Sequence, residues 1–344
     1  MLMVIFGAGA TFDSAPRYPA RTSEPQVELD RPPLADQLFD EKPPFAAAMD
    51  RFKACRPLIS PLRYRSQGVS VEQALSRLQG TCLQNDQGRR EMVAIRFYLQ
   101  FMIRECVSGW ENRHNHVTNY YTLLHSIRQN RKDLKVAFVT FNYDTMLEDA
   151  LSVVMNLPIK TIDDYVKSPE YKLFKVHGSV NWGRSMTGVP FPDNMVADQF
   201  TNEMIRFGNI ILQGDCVTKH YSLTEDSGQD QEPEPLFPAI AIPVETKAEF
   251  ECPDKHLSLL KSSIREITKI LIIGWRGMDP HFIQILLDGW HSDIRVQIVC
   301  GGVADGDSVR KTMEAAGLTG RYEVKDFGFT NYARDGHAEK FLKE

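Results

Sequence analysis

The sequence has no Cys-x-x-Cys pair: its six cysteines, Cys55, Cys82, Cys106, Cys216, Cys252 and Cys300, stand far apart along 344 residues. Structural zinc sites draw their thiolates and imidazoles from short paired spacings, so no zinc is expected. The same scatter reads as buried free thiols rather than a disulfide framework. The nine histidines do not supply a metal pair either, because His114 and His116, two apart, point to different faces of a helix. Also missing is any apolar run near the roughly 20 residues that a membrane span needs. The opening Met1-Leu2-Met3-Val4-Ile5-Phe6 is strand-like and has no basic leader region, so the expectation is a cytoplasmic protein with no membrane partner. Positive charge is in short supply as well. Lys+Arg 40 against Asp+Glu 45 gives −5, which provides no bulk attraction to a phosphate backbone, and nucleic-acid binding is not expected.

Hydrophobic residues at 42% and charged residues at 25% exclude global disorder, collagen and coiled coil. A chain this long buries a large core without staples and fits one domain carrying an insert. Short apolar, β-branched runs at 4–6, 136–141, 173–176, 210–212, 239–242, 270–273 and 294–299 predict buried parallel strands. Helical patterns lie between many of them: Ser70 is placed to cap a helix over 71–78, and Asp144, Pro280 and Asp307 stand near the starts of three more. The alternation predicts an α/β fold, a Rossmann-like doubly wound and mostly parallel sheet in a single domain over 1–344. Two stretches interrupt it. Residues 33–131 show helical patterns (91–106, 116–128) and no convincing strand, and are expected to form a helical insert. Residues 183–235, rich in turn and polar residues and ending in the acidic stretch from Glu225 to Pro235, are expected as an irregular exposed loop.

Chemistry-bearing residues gather after the predicted strands. Gly7-Ala8-Gly9-Ala10-Thr11 follows the first, where backbone amides can cradle a pyrophosphate, although Phe12 occupies the place of the third glycine of the dinucleotide fingerprint and a tight turn without ligand fits equally. Thr140-Phe141-Asn142-Tyr143-Asp144 follows a strongly apolar strand. Asn142 has donors and an acceptor for a sugar hydroxyl or a water, while Asp144 or Asn142 can instead cap the helix over 145–151. His177-Gly178-Ser179 ends another strand. His177 is a base candidate at neutral pH or a core histidine bonded to a carbonyl. Gly274-Trp275-Arg276-Gly277-Met278-Asp279-Pro280-His281 and Cys300-Gly301-Gly302 end two more, and Arg276 is either a phosphate fork or a surface arginine.

In this order, these segments resemble the bacterial sirtuin-like NAD hydrolase family over most of the chain. The most specific parts are Phe141-Asn142-Tyr143-Asp144 and His177-Gly178; Arg31-Pro32-Pro33-Leu34 with Leu38-Phe39 is similar to a proline-leucine segment of the same family. The resemblance implies that NAD is the substrate. It implies that Gly7, Ala8, Gly9 and Thr11 form the phosphate-facing turn, that Asn142 holds ribose and water, and that His177 is the catalytic imidazole. It further puts Asp144 near the nicotinamide amide, Gly274 and Arg276 in a second nucleotide turn, and Gly301 and Gly302 at the adenosine ribose. There are departures too. Deacylating sirtuins carry a zinc ribbon of two Cys-x-x-Cys pairs, where this chain has only Cys216 and Cys252. Their Pro-Asp-Phe-Arg segment is replaced by Asp13-Ser14-Ala15-Pro16-Arg17, and position 141 is Phe where they usually have Gln. The implied function is an NAD glycohydrolase acting in antiviral (anti-phage) defence by NAD depletion, kept in check, as a homo-oligomer and with a HerA-type ATPase or other defence partner. The alternatives are a non-catalytic NAD or ADP-ribose sensor and an NAD-dependent protein deacylase.

Overall fold

Five-residue runs rich in Val, Ile, Leu, Met and Phe, too short for stable helices and buried along all or nearly all of their length, build the central sheet. The computed structural model describes residues 1–20, 27, 30–130, 135–192, 195–214, 216–224, 236–244 and 250–343. Its strands are β1 (Leu2–Phe6), β2 (Val136–Thr140), β3 (Tyr171–Lys175), β4 (Gly178–Met186), β5 (Val217–Leu223), β6 (Leu236–Ile240), β7 (Lys269–Ile273), β8 (Arg295–Val299) and β9 (Arg321–Lys325).

Two compact units divide the chain. The first comprises Met1–Pro32, Val107–His177 and Asp254–Glu344. It holds a six-stranded sheet in the order β3-β2-β1-β7-β8-β9, with every adjacent pair parallel. Counted within the sheet, that is the 3-2-1-4-5-6 arrangement of a doubly wound Rossmann-like fold, whose strand order reverses at the β1/β7 boundary. Helices Met146–Met155, Pro280–Leu287 and Val303–Ala315 connect successive strands.

The second unit comprises Pro33–Cys106 and Gly178–Pro253. Its first segment is helical, with Pro43–Arg51, Arg56–Arg63, Val71–Cys82 and most of Asp86–Arg113. Ser70 caps the third of these in a reciprocal box with Gln73. The insert expected over 33–131 therefore has helices and no strand among its described residues, but its last part, from Val107 on, groups with the first unit.

Three local expectations differ from the structure. The stretch 183–235 is not irregular throughout: β4 continues through Met186, Ala197–Arg206 is helical and β5 follows, while residues 225–235 lie outside those described. Polar, half-exposed strands such as β5 lack the apolar alternation by which strands are recognised. Residues 210–212 belong to a helical turn, Gly208–Ile211, since three apolar residues suit either state. The run at 239–242 contributes to β6, which pairs antiparallel with β4 in a separate three-stranded sheet, β5-β4-β6. Pro238, with no N–H to donate, is accommodated because β6 is an edge strand.

Candidate active site

Parallel register brings the strand ends of the first unit level with one another. Phe6 pairs with Thr140 and with Ile273, Thr140 with Lys175, and Ile273 with Val299. The residues that follow each strand, Gly7, Phe141 and Asn142, Val176 and His177, Gly274, and Cys300 with Gly301, therefore line one rim. This is the carboxyl edge of the sheet, where open α/β folds bind ligands, and Gly7 and Gly274 flank the point of strand reversal.

Three of the glycines are required by packing. A Cβ on Gly7 would lie 2.5 Å from Gly274 O, one on Gly9 2.8 Å from Gly274 Cα, and one on Gly274 2.4 Å from Ala10 N. Gly274 also has φ +62°, and the Gly9 amide donates to its carbonyl at 3.1 Å. The two turns of the strand-reversal point thus touch backbone to backbone. Gly301 differs, since a Cβ there would meet nothing within 4 Å. Gly302 caps Val303–Ala315 with extended backbone, Ala8 opens the short helix Ala8–Phe12 half-buried, and Arg276 is exposed.

Asn142, Thr11 and Asp144 form one buried network. Asn142 Nδ2 donates to Gly7 O and to Thr11 Oγ1, both at 2.9 Å, and approaches Tyr120 OH at 3.4 Å. Thr11 Oγ1 donates to Asp144 Oδ2 at 2.6 Å. With the single Thr11 hydroxyl proton committed to Asp144, Tyr120 OH donates to Thr11 Oγ1 across 3.2 Å. Asp144 Oδ1 accepts from the Met146 amide at 3.1 Å, so the capping role read from the sequence is present alongside the network. Burial and the Asp144 charge push the Tyr120 phenol well above its ordinary pKa.

Beneath this network Lys175, wholly buried, donates to Glu148 Oε1 at 2.7 Å and to the Asp144 carbonyl. Tyr165 OH donates to the same carboxylate oxygen at 3.1 Å. Burial raises the Glu148 pKa, with the Lys175 ammonium opposing it. Glu111, at the end of helix Asp86–Arg113, is pushed up to about 8 by burial and by the Asp149, Asp144 and Glu148 charges.

His177 lies on the same rim as Asn142, in contact with the residues on either side of it. Its ring meets Phe141 edge-on at 5.0 Å between centroids and Tyr143 at 6.3 Å. Phe141 stacks on Trp275 at 5.2 Å, which gives both aromatics a packing role. His177 Nε2 is 2.9 Å from Asp279 Oδ2.

No protein-family model matches the chain, and no curated protein does. Among solved structures, the chain is similar to a crystal structure of Sir2 in complex with the inhibitor EX-527, 2'-O-acetyl-ADP-ribose and a deacetylated p53 peptide. Identity is 11%, with 99% of this chain and 94% of that chain covered, at a TM-score of 0.39. Among the described residues, no group of three His, Cys, Asp or Glu is arranged to hold a metal ion, and no helix is long and apolar enough to cross a membrane.

Two residues of this site escaped the sequence reading. Tyr120 belongs to helix Asn119–Asn130 and gives no local sign of facing the strand ends. Asp279 before Pro280 is legible as a helix cap, but its reach to a histidine 102 residues earlier is not. Asp13 and Ser14 are engaged in internal hydrogen bonds. Asp13 Oδ2 accepts from the Thr330 amide at 3.0 Å, and Ser14 Oγ accepts from Trp110 Nε1 at 3.0 Å.

Proposed function

We propose that the protein hydrolyses NAD at the bond between nicotinamide and ribose, giving nicotinamide and ADP-ribose. The observation that carries this reading is the placement of Asn142 and His177 side by side on the carboxyl rim, beside the strand-reversal point at which doubly wound sheets take dinucleotides. When the C1′–N bond breaks, its electron pair leaves on the nicotinamide nitrogen and positive charge grows on the ribose carbon. Water oxygen bonds to C1′, and one water proton is taken up by the His177 imidazole and passed to solvent. Catalysis then consists of fixing the sugar, aligning the water and facing the developing charge with fixed dipoles. With both amide protons directed at Gly7 and Thr11, Asn142 meets the sugar or water through Oδ1. Asp144, a carboxylate just past the end of β2, is assigned to the nicotinamide amide.

Gly7, Ala8, Gly9 and Thr11 are assigned to the pyrophosphate, Gly274 and Arg276 to the second nucleotide turn, and Gly301 and Gly302 to the adenosine ribose. Open space beside Gly301 favours the last. The role assigned is antiviral defence by NAD depletion, with homo-oligomerisation and a HerA-type ATPase or other defence partner as restraint or trigger; light scattering that finds only monomer, alone and with neighbouring gene products, counts against that assembly.

Chromatography of NAD incubated with the protein tests the activity. Asn142→Ala and His177→Ala are each expected to lower nicotinamide release by roughly a hundredfold or more. Near-wild-type rates in either folded variant remove the assignment. NAD binding without nicotinamide release points to a sensor, and turnover that requires an acyl-lysine peptide to a deacylase.

A further inference from the structure

We propose that Asp279 is a positioning residue that sets the tautomer of His177. The inference rests on the reading of His177 as the imidazole of NAD cleavage and deepens it. Asp279 caps helix Pro280–Leu287, its Oδ1 accepting from the Phe282 amide at 2.9 Å. Its Oδ2 lies 2.9 Å from His177 Nε2, and both side chains are only 10% exposed. Capping alone needs a single acceptor, which Ser, Thr or Asn provides equally well. Asp adds a second acceptor and a charge, and the second oxygen is the one at His177.

The ionised carboxylate accepts, so His177 Nε2 carries a proton and donates to Oδ2, and the lone pair resides on Nδ1. Phe141, edge-on to the ring at an interplanar angle of 82°, holds its plane. Nδ1 is then the atom that receives the water proton as the C1′–O bond forms, and the carboxylate stabilises the imidazolium until that proton leaves to solvent. The same logic operates in Ser-His-Asp triads, where replacing the buried Asp with Asn leaves the wrong tautomer and lowers turnover about 10⁴-fold.

Asn at position 279 has one acceptor for two donors. Satisfying the Phe282 amide turns its NH2 toward Nε2 and inverts the histidine tautomer. Ser keeps a cap and withdraws the second contact. Nitrogen-15 NMR of the full chain labelled at histidine, with His177→Ala assigning the signal, is expected to find His177 protonated at Nε2 in the wild type and at Nδ1 in Asp279→Asn. Steady-state nicotinamide release should fall at least about tenfold in kcat for Asp279→Asn and Asp279→Ser, with KM within about twofold. Far-UV circular dichroism checks that both fold. Wild-type His177 protonated at Nδ1, or an unaltered kcat in folded Asp279→Ser, overturns the proposal. If the wild type releases no nicotinamide, the NAD reading fails by itself, and the ring-nitrogen spectra of wild type and Asp279→Asn still decide the tautomer.

Discussion

A Cβ added to a glycine can meet open space or fixed backbone, and the rim contains both cases. Gly274 combines φ +62° with a Cβ position 2.4 Å from Ala10 N, so a methyl group there meets backbone that cannot rotate away. Gly274→Ala is expected to destabilise the fold by more than about 2 kcal/mol, from the left-handed backbone cost and the forced separation of the two turns. Gly301→Ala, pointing into open space, should stay within about 0.5 kcal/mol. Urea denaturation of the two variants checks the contrast, and equal midpoints would contradict it. At this scale the glycines were legible in the sequence, but the reason for each was not. Gly7, Gly9 and Gly274 read as candidate nucleotide contacts, and the structure shows the packing that requires them.

The end of β3 is tied to the site's neighbouring helix by a buried charge. Its last residue, Lys175, is wholly buried, and its ammonium ties helix Met146–Met155 to the strand through Glu148 and the Asp144 carbonyl. Removing one member of a buried pair leaves the other charge stranded. Lys175→Met is therefore expected to cost about 3–5 kcal/mol, and Lys175→Met with Glu148→Leu to regain most of it. A double variant no more stable than the single one would show that the loss comes from packing. Among the elements themselves, β1, β2, β7 and β8 were readable because buried parallel strands are continuous apolar runs. β9 was not, since Arg321, Glu323 and Lys325 place charge along an edge strand, a pattern that also keeps such edges from pairing with other chains.

Across the whole molecule, buried titratable groups set opposing slopes of stability with pH. Burial lowers the His114 and His256 pKa values to about 4 from 6.5, so the fold binds fewer protons than the unfolded chain in that window and loses stability as pH falls through it. Glu111 moves the other way, from 4.5 up to about 8. The fold keeps a proton that the unfolded chain releases, and stability declines as pH rises between those values. Two histidines oppose one carboxyl below 6.5 and Glu111 acts without them above it, so stability is expected to rise and then fall with pH. The alkaline slope from Glu111 is at most about 1.4 kcal/mol per pH unit. Denaturant titrations from about pH 5 to about pH 8.5 should trace this dome, and Glu111→Gln should flatten its alkaline side. Stability that climbs above pH 6.5, or an unaltered slope in the variant, would refute the assignment.

Local order alone determined the α/β character, the buried strands and several helix starts. Apolar runs, glycine turns and caps such as Ser70 act over a few residues, and their physics is complete within that span. Tertiary structure decided the rest. Whether the run near Ala239 joined the large sheet or a separate one depended on which edge β4 offered, and apolar content carries no record of that. Gly7 and Thr11 lie 135 and 131 residues from Asn142, and Asp279 lies 102 residues from His177. Hydrogen bonds of 2.6 to 2.9 Å between such distant groups exist only once parallel register has levelled the strand ends, and register is a property of the assembled sheet.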